Sequence, residues 1–351
     1  MTETEQLLEE NHLVYVSDST AGIKRVPVEG GFKYLNSRGA EVTDEKVLER
    51  IRRLVLPPAW REVWIATKAN AHLQATGIDQ AGRKQYRYHT RWSQLRNENK
   101  FYRLLEFGRK LPEFRRNVLK DLRRRSLDQR KVLAIAVNLM QKTLIRVGNE
   151  SYKQLYGSYG LSTLRDKHVK IEGNNMKLSF RGKKGVMHEI KLSDRNLAKL
   201  VKRCRDIPGQ ELFQYYTADG ERCSIDSGMI NAYIKEITGC DFTAKDFRTW
   251  SGTLEALRTY ADFEFPESET KRKKVTIAVL DSVSGKLGNT RSVCKKYYVF
   301  PALTEAYEAG ALLPFLKKVK KNSLLAPDTG LNEDEKVLLS FLKSERKKKE
   351  A

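Results

Sequence analysis

The sequence predicts an α+β protein with a small β-rich domain over residues 1–92 and a larger, mainly α-helical domain over residues 93–351. Short runs of aromatic and β-branched residues, broken by Gly, Asp and Pro, fill roughly the first ninety residues. From about Trp92 onward, apolar residues recur at helical spacing in long runs. A chain of 351 residues is long enough for two domains, each with its own core.

In the first domain, five runs are typical of short strands: VYVSD, GIKRVPV, GFKYLN, EVWIAT and KQYRYHT. One helix is predicted among them, from Asp44 to Val55. Asp44 suits the N-cap position, and Pro57-Pro58 follow the end of the helix.

The larger domain contains a helix predicted from the run KVLAIAVNLMQKTLIRVG, and Gly148 suits its stop. The residues that recur at helical spacing are Val132, Ile135, Ala136, Leu139 and Met140. A β-hairpin is predicted from Lys177 to Leu192, with the short basic loop 181–185 (RGKKG) between its strands. From there to the end of the chain we expect helices.

The charge of the chain indicates a polyanionic partner. The sequence has 66 Lys and Arg against 44 Asp and Glu, a formal net charge of +22. Nucleic acid is the predicted partner, because each cation placed on a phosphate releases condensed counterions. The alternative to a nucleic-acid-binding protein is a basic protein whose positive charge serves only to keep it soluble. A hydrophobic content of 40% excludes a disordered basic tail, since it allows a buried core.

Several motifs of cofactor-dependent enzymes are missing from the sequence. There is no HExxH, no CxxC and no GxxxxGK[ST], so we expect no metal and no cofactor. The cysteines lie far apart and are expected to be free thiols: Cys204, Cys223, Cys240 and Cys294. No run approaches the ~18 apolar residues that span a bilayer. The acidic start, MTETEQLLEENHL, is unlike a secretory signal, and we expect a cytoplasmic protein without a membrane partner.

Breaking a nucleic-acid strand without a metal requires three kinds of side chain. A nucleophile attacks phosphorus, cations hold the non-bridging oxygens, and an acid protonates the departing 5′ oxygen. Tyrosine, arginine and lysine suit these roles in that order. Any one such residue is more often an ordinary surface or core residue. The prediction therefore rests on four candidate residues that occur in the expected order along the chain. The segments are LIRVGNESY with Arg146, FRGKKGVMHE with Lys183, KDFRTWSGT with Arg248, and LGNTRSVCKKYYVFP with Tyr298.

These segments, with GFKYLNSRGAEV, LPPAWREVWIA and LRDKHV, resemble the type IB DNA topoisomerases of the compact poxvirus and bacterial kind over nearly the whole chain. The resemblance implies a catalytic domain of the DNA breaking–rejoining type and a monomer whose two domains close around double-stranded DNA. It implies that one strand is cleaved through a 3′-phosphotyrosyl link, rotates and is religated, without ATP or metal.

The resemblance also assigns roles to the basic residues. Arg146 and Arg248 clamp the scissile phosphate, and Lys183 is the general acid, assisted by Arg146. Lys184 competes for the acid role, but the register after the glycine favours Lys183 and leaves Lys184 as a phosphate contact or a solvated side chain. His188, on the returning strand, is expected to be a packed histidine rather than a catalytic one.

The nucleophile has two adjacent candidates. Asn289 falls where the poxvirus enzymes have a histidine that donates a hydrogen bond to a non-bridging oxygen. The family spacing from that position to the nucleophile is nine residues, and 298 − 289 = 9, so Tyr298 is chosen over Tyr297. Because asparagine is neutral, we expect a weaker pH dependence from this position than a histidine would give.

The segment GIDQAGRKQYRYHTRW in the first domain interleaves basic and aromatic residues. An ordinary half-buried strand with a basic outer face would show the same pattern. In the resembling family, the similar GRKQY segment contacts the major groove. Gln85 and Tyr86 are therefore candidates for base contacts, and Arg83 and Lys84 for phosphate contacts. Tyr88 completes the predicted DNA-binding set.

Two other functions remain open. A tyrosine recombinase or integrase shares the catalytic fold and the nucleophile, but these usually carry His-x-x-Arg, whereas Lys245 stands three residues before Arg248. A non-catalytic architectural DNA-binding protein would explain the charge and the basic–aromatic strand. It would not explain why the catalytic residue types occur in order.

Overall fold

The computed structural model describes residues 8–80, 82, 84–321 and 326–350, with the backbone alone described at residues 94, 96–102 and 349–350. The chain divides into two compact units, Met1–Lys100 and Phe101–Ala351. The sequence-predicted boundary between residues 92 and 93 stays a prediction. The mixed helix-and-sheet architecture confirms the predicted fold class.

The first unit contains a five-stranded antiparallel sheet in the order β2-β1-β3-β4-β5. Its strands are β1 (Ile23–Val28), β2 (Gly31–Leu35), β3 (Arg61–Ile65), β4 (Leu73–Ile78) and β5 (Lys84–Tyr88). Four of the five predicted runs supply β1, β2, β3 and β5. The fifth, VYVSD, forms only an isolated bridge from Val14 to Ala71. Strand β4 was not predicted because it is buried along most of its length and so lacks an alternating pattern.

Helix α1 (Glu45–Arg53) begins where the sequence predicts. The Asp44 carboxylate accepts hydrogen bonds from the backbone N–H groups of Lys46 (2.8 Å) and Val47 (3.4 Å), which otherwise lack helical partners. Ile51 of this helix is buried in a small cluster with Val63 and Ile65 of β3.

The second unit is mainly helical. After α2 (Thr90–Leu122), its helices are α3 (Gln129–Thr143), α4 (Glu150–Tyr156), α5 (Arg195–Arg205), α6 (Ser227–Thr238), α7 (Ala244–Tyr260), α8 (Glu269–Leu287), α9 (Arg291–Tyr297), α10 (Pro301–Glu308), α11 (Leu313–Leu316) and α12 (Glu333–Glu350). Its strands are β6 (Val169–Glu172), β7 (Asn175–Arg181), β8 (Met187–Ser193), β9 (Gln214–Tyr216) and β10 (Arg222–Ser224).

The predicted hairpin is confirmed as β7 and β8, which pair in antiparallel register from Asn175↔Ser193 to Arg181↔Met187. Two predictions about its surroundings were wrong. Strand β6 extends the hairpin to a three-stranded sheet, and a second hairpin, β9 with β10, interrupts the helices expected to follow. The strands β9 and β10 have only three residues each, too few for an alternating pattern to indicate them.

Helix α3 is buried on all sides rather than on one face, and its predicted apolar positions are at most 1% exposed. Its end was predicted too late. The helix stops at Thr143, where Leu144 takes a left-handed conformation (φ 58°), and not at Gly148. Arg146 therefore lies in the loop after the helix.

The last helix, α12, is tied to the second unit by two buried ion pairs. Asp334 accepts from Arg258 Nε of α7 at 2.7 Å. Glu335 accepts a two-pronged contact from Arg115 of α2 at 2.8 and 2.9 Å. Because all four side chains are at most 4% exposed, losing one partner would leave a buried charge unpaired.

Because His168 is buried, we expect the folded protein to lose stability in mild acid. Its ring is 8% exposed, Nδ1 accepts from the Arg165 N–H at 3.0 Å, and Tyr159 packs against it edge-on at 4.4 Å. Burial, with smaller repulsion from Lys167 and Arg165, lowers the pKa of His168 to about 4. The unfolded chain, with a histidine pKa of ~6.5, then takes up the proton first as the pH falls.

The stabilisation from neutral His168 is thus complete above pH ~6.5 and is lost as the pH falls towards ~4, to a total of about 3 kcal/mol. Urea unfolding of the wild type and His168→Gln at pH 7.5 and pH 5 measures this, and the wild type should lose more stability than the variant. Equal losses would contradict the assignment.

Candidate active site

The loop that carries Arg146 is held by a close approach of two glycines. A Cβ on Gly160 would lie 2.5 Å from Gly148 Cα and 2.6 Å from Arg146 O. This contact lets the Leu161 N–H donate to Arg146 O at 2.8 Å. Gly148 has φ 95°, which disfavours other residues. The two glycines thus fix the backbone from which the Arg146 side chain extends.

The Arg146 guanidinium contacts the segment after α8. Its Nη2 donates to Gly288 O at 3.0 Å and to the Asn289 side-chain oxygen. Burial lowers the pKa of Arg146, and repulsion from Arg248 adds to the effect. An arginine nevertheless stays protonated in a protein. The site therefore holds two neighbouring positive charges.

Arg248 is the fifth residue of α7 and is 5% exposed. Its Nη1 donates to Leu144 O, and its Nη2 donates to Leu287 O at 2.7 Å. The side chain thus joins the ends of α3 and α8. Among the described residues, the buried Arg248 Nε has no hydrogen-bond partner, and the buried Asn289 Nδ2 has no oxygen or nitrogen acceptor, although the Asn289 side chain lies against the Cys294 thiol. Unpaired buried donors cost free energy and are suited to an anionic ligand.

Tyr298 is the C-cap residue that follows α9, and the Arg248 guanidinium carbon lies 5.2 Å from the centre of its ring. Two residues of α7 adjoin its backbone. A Cβ on Gly252 would lie 2.8 Å from Tyr298 O, and Thr253 Oγ1 lies 3.2 Å from the same oxygen. Neither residue was predicted to belong to the site. Spacing along the chain does not indicate which face of a helix packs against the backbone of a distant segment.

Tyr297 has different surroundings from Tyr298. The ammonium groups of Lys245 and Lys296 lie 5.8 and 5.2 Å from the centre of its ring. The Arg248 guanidinium thus lies near the ring of Tyr298, whereas two lysine ammonium groups lie near the ring of Tyr297.

Cys294 was not predicted as part of the site. It is fully buried one turn before Tyr298, and the Tyr298 N–H donates to its carbonyl at 2.9 Å. Burial raises the pKa of its thiol, while the nearby Arg248 and Arg146 oppose this shift. All four cysteines are free thiols, with Cys204 also buried. No cluster of three or more metal-binding side chains occurs in the part of the chain that the structure describes.

The hairpin loop carries both candidate lysines. Lys183 and Lys184 lie in a single 3-10 turn and are exposed, and Lys184 has φ 61°. Within the described ranges the Lys183 ammonium has no hydrogen bond or ion pair. The structure thus brings together Arg146, Arg248, Asn289 and Tyr298, and carries Lys183 on an exposed loop.

In the first unit, the predicted DNA-binding residues lie on the edge strand β5. Lys84 pairs with Asp18, and Gln85 Nε2 donates to Asp79 at 2.9 Å. Tyr86, 50% exposed, stacks on Tyr88 with ring centres 6.1 Å apart. Successive residues of a strand point to opposite faces, so Gln85 and Tyr86 do not share one. Arg83 lies outside the described residues.

Comparison with known proteins agrees with this architecture. A sequence model described as the eukaryotic DNA topoisomerase I catalytic core matches residues 89–318. A second, described as the bacterial DNA topoisomerase IB N-terminal domain, matches residues 31–79.

Curated viral proteins match over most of their length. DNA topoisomerase 1B of Acanthamoeba polyphaga mimivirus is 32% identical over 294 residues, which cover 82% of this chain and 88% of the viral protein. DNA topoisomerase I of Monkeypox virus and DNA topoisomerase 1B of Vaccinia virus (strain Copenhagen) are each 23% identical over 272 residues, covering 76% of this chain and 82% of theirs.

The fold and these matches together define an isomerase of the DNA topoisomerase class. Within that class, the chain belongs to the type IB DNA topoisomerase family. Among the described residues, no helix is both long enough and apolar enough to cross a membrane.

Proposed function

We propose that this chain relaxes supercoiled duplex DNA by cleaving one strand through Tyr298, letting the strand rotate, and resealing it. One observation carries the proposal. Arg146, Arg248, Asn289 and Tyr298 meet in one site, where two buried donors lack an oxygen or nitrogen acceptor among the described residues. A phosphodiester supplies the negative oxygens that these donors and the two guanidinium groups can bind.

In the proposed reaction, Tyr298 Oη attacks the scissile phosphorus. The bond from phosphorus to the tyrosyl oxygen forms as the bond to O5′ breaks, and the phenol proton passes to solvent. Lys183 gives its proton to O5′, leaving a free 5′-hydroxyl end. Religation reverses each step. Arg146, Arg248 Nε and Asn289 Nδ2 hold the non-bridging oxygens, whose charge grows in the transition state.

The proposed cycle requires neither ATP nor a metal ion. The phosphotyrosyl bond is itself a phosphodiester, so the free energy of the broken strand is kept for religation. Two arginines and an amide supply the stabilisation of charge that Mg²⁺ gives in other phosphoryl-transfer enzymes.

Lys183 is the proposed acid because it lies in the loop between β7 and β8, and an exposed ammonium on such a loop can reach a bound strand. Catalytic hydrogen bonds are often incomplete before substrate binds. Lys184, in the same turn, is assigned to a phosphate contact. It remains a prediction that the protein is cytoplasmic and associated with DNA, and that it acts as a monomer.

A plasmid-relaxation assay in EDTA without nucleotide tests the proposal. We expect the protein to relax the plasmid and, when stopped with detergent, to leave protein covalently attached to nicked DNA. Binding without relaxation or adduct would favour an architectural DNA-binding protein. Exchange of strands between two duplexes, each bearing a recognition site, would favour a recombinase.

The predicted DNA contacts of β5 give a separate prediction. The Asp18 carboxylate holds the Lys84 ammonium, and this pairing raises the pKa of Lys84. If Lys84 contacts a phosphate, Asp18 competes with DNA for it. Asp18→Asn keeps an acceptor for Thr76 Oγ1, which donates to Asp18 at 3.0 Å, but removes the competing charge. We expect DNA affinity to rise about two- to fivefold, the value of an exposed ion pair.

Fluorescence anisotropy with a labelled duplex at ~0.1 M salt measures this affinity. Glu45→Gln is the matched control, because it removes one negative charge from the same unit at a residue paired with Arg52. Equal affinities of the two variants would argue against a phosphate contact by Lys84.

A further inference from the structure

His188 lies on β8 opposite Phe180 of β7, and the two rings stack with centres 5.2 Å apart and planes 20° apart. The ring is half-buried. Its position on the strand directs it to the same face of the hairpin as Leu192, towards the core of the second unit.

Two glycines from distant parts of the chain make room for this ring. A Cβ on Gly182 would lie 2.5 Å from His188 Cδ2, and a Cβ on Gly288 would lie 2.6 Å from His188 Cε1. Gly182 has φ −95° and ψ −163°, a conformation that any residue adopts. Glycine at this position is therefore required by the ring of His188 and not by the backbone.

The two glycines adjoin different parts of the proposed active site. Gly182 precedes Lys183, and its N–H and C=O bond to Val186 O (2.7 Å) and the Gly185 N–H (3.1 Å), closing the base of the hairpin loop. Gly288 accepts from Arg146 and precedes Asn289. The His188 ring thus separates, and is in contact with, the loop of the proposed acid and the segment of the proposed phosphate ligands.

The charge around the ring favours the neutral imidazole. Burial first, and then repulsion from Arg146 and Arg248, lowers the pKa of His188. A neutral ring packed between two backbones sets a distance and an angle, and it brings no further positive charge to the two arginines.

We infer that His188 is a positioning residue for Lys183. Its ring sets the distance between the hairpin loop and the Gly288–Asn289 segment, and at this distance Lys183 can reach the departing 5′ oxygen. The inference rests on the proposed function and adds a residue to it.

The test compares two substrates whose leaving groups differ. In ordinary DNA the leaving 5′ oxygen needs a proton, whereas a 5′-bridging sulfur leaves as a thiolate that needs none. His188→Ala should slow single-turnover cleavage of the oxygen substrate about 10²-fold, part of the ~10²–10⁴-fold that general acids contribute. On the sulfur substrate the same variant should cleave at nearly the wild-type rate, which also shows that it is folded.

A double-mutant cycle tests the contact itself. Gly182→Ala forces a Cβ into the ring and should likewise slow cleavage of the oxygen substrate alone. In the His188→Ala background the ring is gone, so adding Gly182→Ala should cost little more. Ile190→Ala is the matched control, because Ile190 lies on the same face of β8 but pairs with Leu178. It should leave the ratio of the two rates as in the wild type.

Equal losses of His188→Ala on both substrates, or full additivity of the two substitutions, would overturn the inference while leaving the proposed function in place. Failure of the wild type to cleave either substrate would instead reject the proposed function. The two failures are therefore distinguishable.

Discussion

Tyr298→Phe is expected to abolish both relaxation and the covalent adduct. Phenylalanine keeps the ring beneath Arg248 but has no oxygen to attack phosphorus. Because the covalent step needs a nucleophilic oxygen at this position, we expect the cleavage rate to fall by at least about 10⁴-fold. Single-turnover cleavage of a labelled duplex measures the loss.

Tyr297→Phe is the matched control for this prediction. It removes the same hydroxyl group from the adjacent residue, whose ring faces Lys245 and Lys296 rather than Arg248. We expect it to form the adduct as the wild type does. An adduct that persists in Tyr298→Phe and disappears in Tyr297→Phe would exchange the two assignments.

Arg248→Ala is expected to have the second-largest effect, on both catalysis and stability. Loss of a buried cation and its donors from the phosphate site should slow cleavage about 10³-fold. The carbonyls of Leu144 and Leu287 also lose their donor, which should lower the free energy of unfolding by about 2–4 kcal/mol. Cleavage rates below the unfolding temperature and urea unfolding measure the two effects separately.

A conservative pair separates the role of Arg248 from that of any buried arginine on α7. Arg248→Lys keeps one charge but cannot serve two carbonyls and a phosphate together, so we expect a loss of about 10²-fold. In Arg258→Lys the ammonium can still pair with Asp334, and cleavage should stay close to the wild-type rate. Wild-type cleavage by Arg248→Lys would contradict the proposed clamp.

The parts of the fold that the sequence predicts are those with a local cause. An N-cap carboxylate at Asp44 and alternating residues around a glycine-bounded loop identified α1 and the β7–β8 hairpin. Strands β4, β9 and β10 were not identified, since uniform burial or three-residue length removes the alternation. The end of α3 was placed too late because a leucine, Leu144, and not a glycine, takes the left-handed conformation.

The order of the candidate catalytic residues was visible in the sequence, but their contacts were not. The bonds from Arg248 to the ends of α3 and α8 depend on how helices pack, as does the approach of Gly252 to Tyr298. The glycine at 182 has an unremarkable backbone, and only the ring of His188 beside it explains why no larger residue fits.

The proposed function depends most on a covalent bond between Tyr298 and a 3′ phosphate. The most direct measurement uses a duplex whose cleaved strand ends a few nucleotides beyond the cleavage site, so that the released piece dissociates and the adduct cannot religate. The protein is then digested, and the residue that carries the nucleotide is located by mass spectrometry. We expect a nucleotide attached through its 3′ phosphate to Tyr298, with a free 5′-hydroxyl on the released strand. A nucleotide on another residue, or one attached through a 5′ phosphate, would contradict it.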